Sequence, residues 1–153
     1  MSKLDLKLPP DLTALLVAGL MWGVSRITPA PDWLAACRIP ATLGLFIAGM
    51  ALIVLARVHF ARAGTSFSPI APERSRQLVT SGVYRFSRNP MYLGTWLVLL
   101  AFAAWRASPA AALVSLSFVA YLNRFQIRPE EQVLLHRFGP AYEAYRRKVR
   151  RWI

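Results

Sequence analysis

The chain contains four long runs of apolar residues that carry almost no charge, and these runs limit the folds open to it. Each run approaches the roughly 20 residues that a helix needs to cross the hydrocarbon core of a bilayer. Charged residues make up 17% of the chain, whereas soluble domains carry roughly a quarter. We therefore predict an all-α integral membrane protein, a single domain over residues 1–153 with about four transmembrane helices. The predicted spans are residues 12–27, 39–58, 89–105 and 107–124.

The first run also has the features of a signal peptide, because Lys3 and Lys7 precede a short apolar stretch. However, Asp5 and Asp11 dilute this positive region, and Arg26 disrupts the place where cleavage would occur. The residues therefore favour an uncleaved first helix over a signal peptide.

The third and fourth runs are separated only by Arg106 and a Ser108-Pro109 pair, which predicts a tight antiparallel helical hairpin. Two polar segments flank this hairpin, one over residues 82–94 and one over residues 128–131. Because the hairpin returns the chain to the side from which it entered, both segments should emerge on the same face of the membrane. A pocket between helices is expected where they meet.

Basic residues flank the apolar runs and give the chain a net charge of +12. In a soluble protein such a charge would indicate nucleic acid, but here it favours the anionic lipids of a membrane surface, and we expect no nucleic-acid partner. Only Arg26, Arg38 and Arg106 lie on the opposite side from the other basic residues. Since Lys and Arg concentrate in cytoplasmic loops, both termini are predicted to lie in the cytoplasm. The membrane that the protein spans is predicted to be a bacterial inner membrane.

After the fourth run, Pro129 opens a predicted cytoplasmic helix over residues 129–148, with Glu130 and Glu131 in its first turn. Gly139 interrupts this helix, and three apolar residues then share one face. They are Tyr142, Tyr145 and Val149. The basic tail that follows is predicted to lie on the membrane surface.

Cysteine and histidine are too few and too scattered for a metal site. Cys37 is the only cysteine, and His59 and His136 are the only histidines. We therefore expect neither an internal disulfide nor a zinc or di-iron centre.

Each residue of the two polar segments also has a structural interpretation. Arg88 can anchor the chain at the membrane surface, Pro90 can start a helix, and Gly94 can let two helices approach closely. Glu130 and Glu131 can complement a helix dipole. Together these residues favour a functional site over a purely structural role, because burying polar groups near membrane depth costs free energy and such groups tend to be functional.

The two segments also resemble those of a known family. Their sequences are GVYRFSRNPMYLG and, later, RPEEQVLLHRFGPAYEAYRRKVRRW. They are similar to the isoprenylcysteine carboxyl methyltransferase and phospholipid methyltransferase superfamily, in which an Arg-His-Pro-x-Tyr-x-Gly segment precedes a Glu-Glu pair. The resemblance covers residues 77–152, about half of the chain.

The resemblance implies a helical bundle that holds S-adenosylmethionine near its cytosolic face. By motif position it implies cofactor-binding roles for eight residues: Tyr84, Arg88, Asn89, Pro90, Tyr92, Gly94, Glu130 and Glu131. Asn89 departs from the pattern, since the eukaryotic carboxyl methyltransferases have a histidine there. An amide still donates and accepts hydrogen bonds, but it cannot become an imidazolium.

These side chains suit the polar groups of that cofactor. A carboxylate pair suits its ammonium or its ribose hydroxyls, Arg88 and Asn89 suit its carboxylate, and tyrosine rings suit adenine or the cation. We predict Glu131 as the direct ligand and expect one glutamate to pair with an arginine such as Arg85 or Arg88. Positioning supplies much of the catalysis in an in-line methyl transfer, so no catalytic residue is assigned.

The implied reaction is methyl transfer to a lipophilic acceptor, a carboxylate, amine or thiol, that enters from the bilayer. Two other functions fit the same bundle: a non-catalytic scaffold or accessory protein, and a nicotinamide-dependent reductase. The Glu130-Glu131 pair argues against the scaffold, because an inactive site does not need such costly groups. The sequence contains no Gly-rich dinucleotide loop, although a reductase built on a helical bundle would not need one.

Overall fold

The computed structural model describes residues 8–28, 30–64 and 77–153, and within these ranges it contains helices and no β-strand. The six α-helices are α1 (Pro10–Ile27), α2 (Asp32–Arg62), α3 (Pro90–Trp105), α4 (Pro109–Tyr121), α5 (Arg128–Phe138) and α6 (Pro140–Lys148). A 3₁₀ turn over Gly82–Arg85 precedes α3, and a π-helical turn over Leu122–Ile127 joins α4 to α5. The all-α prediction is confirmed. Three residues of the predicted N-terminal flank lie outside the described ranges: Lys3, Asp5 and Lys7.

Two helices in the described ranges are long and apolar enough to cross a membrane, Ala36–Arg62 and Pro109–Phe138, while α3 is apolar but shorter. Only 11% of the most apolar part of the first of these helices is buried inside the protein. Its exposed side chains include Ile47, which is 63% exposed. A helix that is apolar on all sides and barely covered by protein suits a lipid environment. The two helices thus indicate membrane character.

The helix α2 begins at Asp32 rather than at residue 39, and it continues through Pro40. Proline lacks the N–H that would bond to the carbonyl four residues earlier. Membrane helices nevertheless tolerate proline, because neighbouring groups and local adjustments satisfy the freed carbonyl. The apolar run therefore marks the middle of this helix but not its start.

The fourth predicted span and the following helix form one continuous helix. The chain does not break at Pro129, because the π-helical turn over Leu122–Ile127 comes just before it. A π turn shifts hydrogen bonding to the fifth residue along, which accommodates a residue that has no N–H to donate. Gly139, with a positive φ of 49°, ends α5, and α6 begins at Pro140. Residues 129–148 are thus two helices rather than one.

The helix α2 packs along α3, α1 packs on α4, and α3 and α4 form the predicted hairpin. Ala107 turns the chain with a positive φ of 47°. The Ser108 hydroxyl then caps α4 by accepting a hydrogen bond from the N–H of Ala111 at 3.2 Å. At the same end, Nε of Arg106 donates to the hydroxyl of Ser25 at 3.0 Å, which ties α1 to the turn.

Two glycines let α2 and α3 pack backbone to backbone. A Cβ atom built on Gly49 would lie 2.7 Å from the carbonyl oxygen of Gly94, and one built on Gly94 would lie 2.6 Å from the carbonyl oxygen of Gly49. Such close approach through small residues is a common way to pair helices in membranes.

We expect Gly49→Ala to destabilise the protein, because its methyl group must push the α3 backbone away. Overpacking of this kind costs about 1–3 kcal/mol. Gly44→Ala on the same helix is the matched control, since nothing lies within 4 Å of its Cβ position. Unfolding of both purified variants in mixed detergent micelles measures the difference. Equal loss of stability in the two variants would show that the glycine pair does not set the packing.

Candidate functional site

The two polar segments meet at one end of the bundle, which we call the polar end and define by Arg88 and Glu131. The start of α3 and the start of α5 lie together there, beside the residues that follow α6. They enclose a cavity of about 70 Å³. Its lining combines cationic, acidic and aromatic side chains: Phe60, Gln77, Leu78, Val79, Tyr84, Arg88, Asn89, Glu130, Glu131, Leu134, Tyr142 and Tyr145.

Glu131 lies between two arginines. Nη2 of Arg88 donates to its Oε1 at 2.5 Å, and Nη2 of Arg151 donates to its Oε2 at 2.6 Å. Nε of Arg151 adds a third bond, to Oε1 at 3.1 Å. The side chains of Arg88 and Glu131 are only 10% and 12% exposed, so water screens this pair weakly. The expectation that one glutamate pairs with Arg88 is confirmed.

Glu130 is held by two neutral donors instead. The hydroxyl of Tyr92 and Nε2 of Gln126 both donate to its Oε1 at 2.6 Å. Gln126 is buried in the π-helical turn, a distortion that often occurs at functional sites. Neither donor takes Oε2, and no cation of the described residues pairs with this carboxylate. Of the two glutamates, Glu130 is therefore the one that has no cationic partner among the described residues.

Arg88 and Asn89 hold the C-terminal segment against the start of α3. Nη1 of Arg88 donates to the carbonyl of Val149 at 2.8 Å, and its backbone N–H donates to the carbonyl of Arg150 at 3.0 Å. Nδ2 of Asn89 donates to the carbonyl of Arg151 at 2.9 Å. Three consecutive carbonyls of the tail thus accept hydrogen bonds from Arg88 and Asn89, which immediately precede α3.

The last residues of the basic tail pack against the start of α3 and the π-helical turn. Arg151 pairs with Glu131, and Nε1 of Trp152 donates to Oδ1 of Asn123 at 3.1 Å. The Trp152 ring also lies edge-on to Trp96, with 6.3 Å between ring centroids. Glu131 thus binds Arg151, and Asn123 and Trp96 contact Trp152. The tail therefore forms part of the polar end.

Sequence reasoning missed four residues that build this end. Asn123 and Gln126 are uncharged polar residues at the end of the fourth apolar run, and this position marks them as candidates, because polar groups at membrane depth are costly. Arg151 and Trp152 gave no such signal, since the tail is rich in arginine. Arg151 and Trp152 reach Glu131 and Asn123 because the folded chain brings the tail back to this end.

The remaining predicted residues divide between the cavity and helix packing. Tyr84 lines the cavity, and its carbonyl accepts a hydrogen bond from the hydroxyl of Tyr145 at 2.7 Å. Pro90 is the buried first residue of α3. Gly94 faces α2 at the contact with Gly49, and it does not line the cavity.

The tyrosines around the cavity are neutral hydroxyl groups near physiological pH. Burial raises the pKa of Tyr142 to about 12, and the negative charge of Glu131 adds to the effect. Burial also raises the pKa of Tyr84 and of Tyr145 well above the ordinary value. The described part of the chain contains no His, Cys, Asp and Glu cluster that could hold a metal ion. The cavity thus offers hydrogen bonds, permanent cations and one unpaired carboxylate.

Comparison with known proteins identifies the family of the chain. The sequence profile of the phospholipid methyltransferase family matches residues 37–141, which include the start of α3 and both glutamates. A protein-S-isoprenylcysteine O-methyltransferase from Schizosaccharomyces pombe is 34% identical over 113 residues, and one from Rattus norvegicus is 29% identical over 112 residues. These matches cover 71% and 69% of this chain but 46% and 39% of those proteins. The chain thus spans less than half the length of the two methyltransferases.

An uncharacterized protein from Haemophilus influenzae is 43% identical over 63 residues, which are 41% of this chain and all of that protein. No solved structure matches the chain significantly. The family profile covers well over half of the chain and includes both helix starts that form the polar end. The chain therefore belongs to the phospholipid methyltransferase family.

Proposed function

We propose that the protein is an integral membrane enzyme that transfers a methyl group from S-adenosylmethionine to a lipophilic acceptor. Family membership and relatives named as O-methyltransferases support methyl transfer. The main support comes from Glu130, which lines the cavity between α3 and α5 and has no cationic partner among the described residues. Such a group suits a ligand that brings its own positive charge.

The donors and acceptors at the cavity fit the chemistry of this cofactor. In the proposal, Glu130 binds the ammonium or the ribose hydroxyls, and Tyr92 and Gln126 hold it in place. Nε of Arg88 is buried and has no hydrogen-bond partner among the described residues, so it is an orphan donor that a carboxylate would satisfy. The rings of Tyr84 and Tyr142 supply aromatic faces.

The other predicted residues act indirectly in this proposal. Asn89 positions the tail through its bond to the Arg151 carbonyl, and Glu131 keeps the two arginines in place. Pro90 and Gly94 fix the start of α3 and its contact with α2.

The cavity must widen before it accepts the cofactor. Its volume is about 70 Å³, whereas small-molecule pockets span roughly 300–1,000 Å³. The walls that border it on the apolar side come from Leu78, Val79 and Leu134. Movement of these side chains, rather than of the ion-paired core around Glu131, is the least costly way to enlarge it.

When bound, the cofactor supplies an electrophilic methyl group on a sulfonium. The protein's part is to orient this group and to keep water away from it, because in-line geometry supplies much of the rate. An acceptor that is already a carboxylate or thiolate needs no general base. The acceptor reaches the site from the bilayer, since the exposed surface of α2 is apolar.

A four-span arrangement with both termini in the cytoplasm of a bacterial inner membrane goes with this proposal. It places the polar end at the cytoplasmic surface, where the cofactor is available, and Arg106 at the opposite end. We expect reporter fusions after Arg62 and after Ile153 to read cytoplasmic and one after Arg106 to read external. A C-terminal fusion that reads external contradicts this topology.

Transfer of a labelled methyl group tests the function directly. Purified protein in lipid nanodiscs, supplied with methyl-labelled S-adenosylmethionine, should label at least one of three acceptors: a prenylated cysteine, a phospholipid amine or a long-chain thiol. Glu130→Gln should transfer at least tenfold more slowly. Folded wild-type protein that labels none of the three would count against the proposal.

A further inference from the structure

A groove on the outer side of the polar end has the character of a second binding site. It lies between α6 and the chain around the 3₁₀ turn, and its volume is about 410 Å³. Tyr145 lines both this groove and the cavity described above. The other lining residues are Thr80, Arg85, Ala141, Ala144, Lys148 and Val149.

The described lining of the groove carries positive charge and no negative charge. Arg85 and Lys148 line it, and none of the described residues that line it is acidic. Elsewhere at this end Arg88, Arg147 and Arg151 each pair with a glutamate. Neither Arg85 nor Lys148 has such a partner among the described residues. Two unpaired cations in one concave surface attract an anion.

The shape and surroundings of the groove specify the kind of anion. Its floor is small and apolar, formed by Ala141, Ala144 and Val149, so it accepts carbon as well as charge. Phe86 follows Arg85 in the chain and is 77% exposed, as expected of an aromatic residue at a membrane interface. Arginine and lysine side chains that line one groove suit a phosphate group.

We infer that this groove binds the phosphate of an anionic glycerophospholipid, with Arg85 and Lys148 on the phosphate and the glycerol carbons over the apolar floor. The site is separate from the methyl-transfer site and does not depend on that function. Because Tyr145 and the 3₁₀ turn border both, a bound lipid braces the wall of the cavity.

Thermal stability of the detergent-purified protein tests the inference without any enzyme assay. Dioctanoyl phosphatidylglycerol should raise the unfolding midpoint in a saturable way, because a ligand that binds only the folded state stabilises it. Dioctanoyl phosphatidylcholine should not. The exposed pair of changes Arg85→Gln and Lys148→Gln should weaken the apparent affinity for phosphatidylglycerol more than tenfold. Arg62→Gln, which removes the charge of a residue that does not line the groove, should change it less than twofold.

Three results would overturn the inference. Equal stabilisation by both lipids would show that the headgroup charge is not recognised. Equal loss of affinity in Arg62→Gln would show a general effect of net charge. Equal stabilisation by the same concentration of inorganic phosphate would assign the groove to a free phosphate instead of a lipid.

Discussion

Glu131→Gln should unfold or severely destabilise the protein, by about 3–5 kcal/mol, because it leaves two arginines facing each other without a counter-ion. Arg88 and Arg151 both donate to the Glu131 carboxylate, at 2.5 Å and 2.6 Å. The side chain of Glu131 is only 12% exposed, so water does not compensate for the lost charge. The tail that these arginines anchor should loosen as well.

The matched control is Glu143→Gln, which removes the other glutamate–arginine pair at this end of the molecule. In that pair the side chains of Arg147 and Glu143 are 77% and 45% exposed, and exposed helical pairs contribute only about 0.3–0.5 kcal/mol. Unfolding of the two variants in mixed detergent micelles gives both values. A similar, small loss of stability in both would show that the ion-paired core does not hold the polar end together.

Glu130→Gln should have the opposite effect: a stable fold and a large loss of ligand affinity. The amide keeps an oxygen that accepts the hydrogen bonds of Tyr92 and Gln126, so packing is preserved. What is lost is the negative charge offered to the ligand. Hydrogen bonds to charged groups contribute about 1.5–3 kcal/mol, and 1.4 kcal/mol is a factor of ten. Affinity for S-adenosylhomocysteine should therefore fall at least tenfold.

The unfolding midpoint of Glu130→Gln without ligand, measured beside its dissociation constant, separates the two readings of this residue. If Glu130 only complements a helix dipole, stability falls by about 0.3–1 kcal/mol and affinity does not change. That outcome would remove Glu130 from the site. Tyr92→Phe is the companion variant, since it removes one of the two hydrogen bonds to Glu130 but keeps the carboxyl group, and it should weaken binding less.

The sequence predicted the helices well because apolar runs at membrane length have few alternative structures. It also predicted that Arg88 meets a glutamate, since the hairpin turn at Ser108 brings the two polar segments to one end. It did not predict which glutamate is paired, because neighbouring residues on a helix point about 100° apart and the sequence does not fix the rotation.

The sequence did not predict that the C-terminal tail folds back onto the start of α3. Arg88 and Asn89 bind backbone carbonyls of Val149 and Arg151, and a carbonyl carries no sequence signal. The continuity of α4 with α5 was also missed, because Pro129 usually marks a helix start. The π-helical turn before Pro129 accommodates this proline within an unbroken helix.

Binding of S-adenosylhomocysteine and of NADPH to the same purified wild-type protein distinguishes a methyltransferase from a reductase and from a scaffold. We expect saturable binding of S-adenosylhomocysteine and none of NADPH at equal concentration. Binding of NADPH alone would assign the cavity to a reductase. A folded protein that binds neither would support a scaffold, and either result contradicts a methyltransferase with Glu130 at its cofactor site.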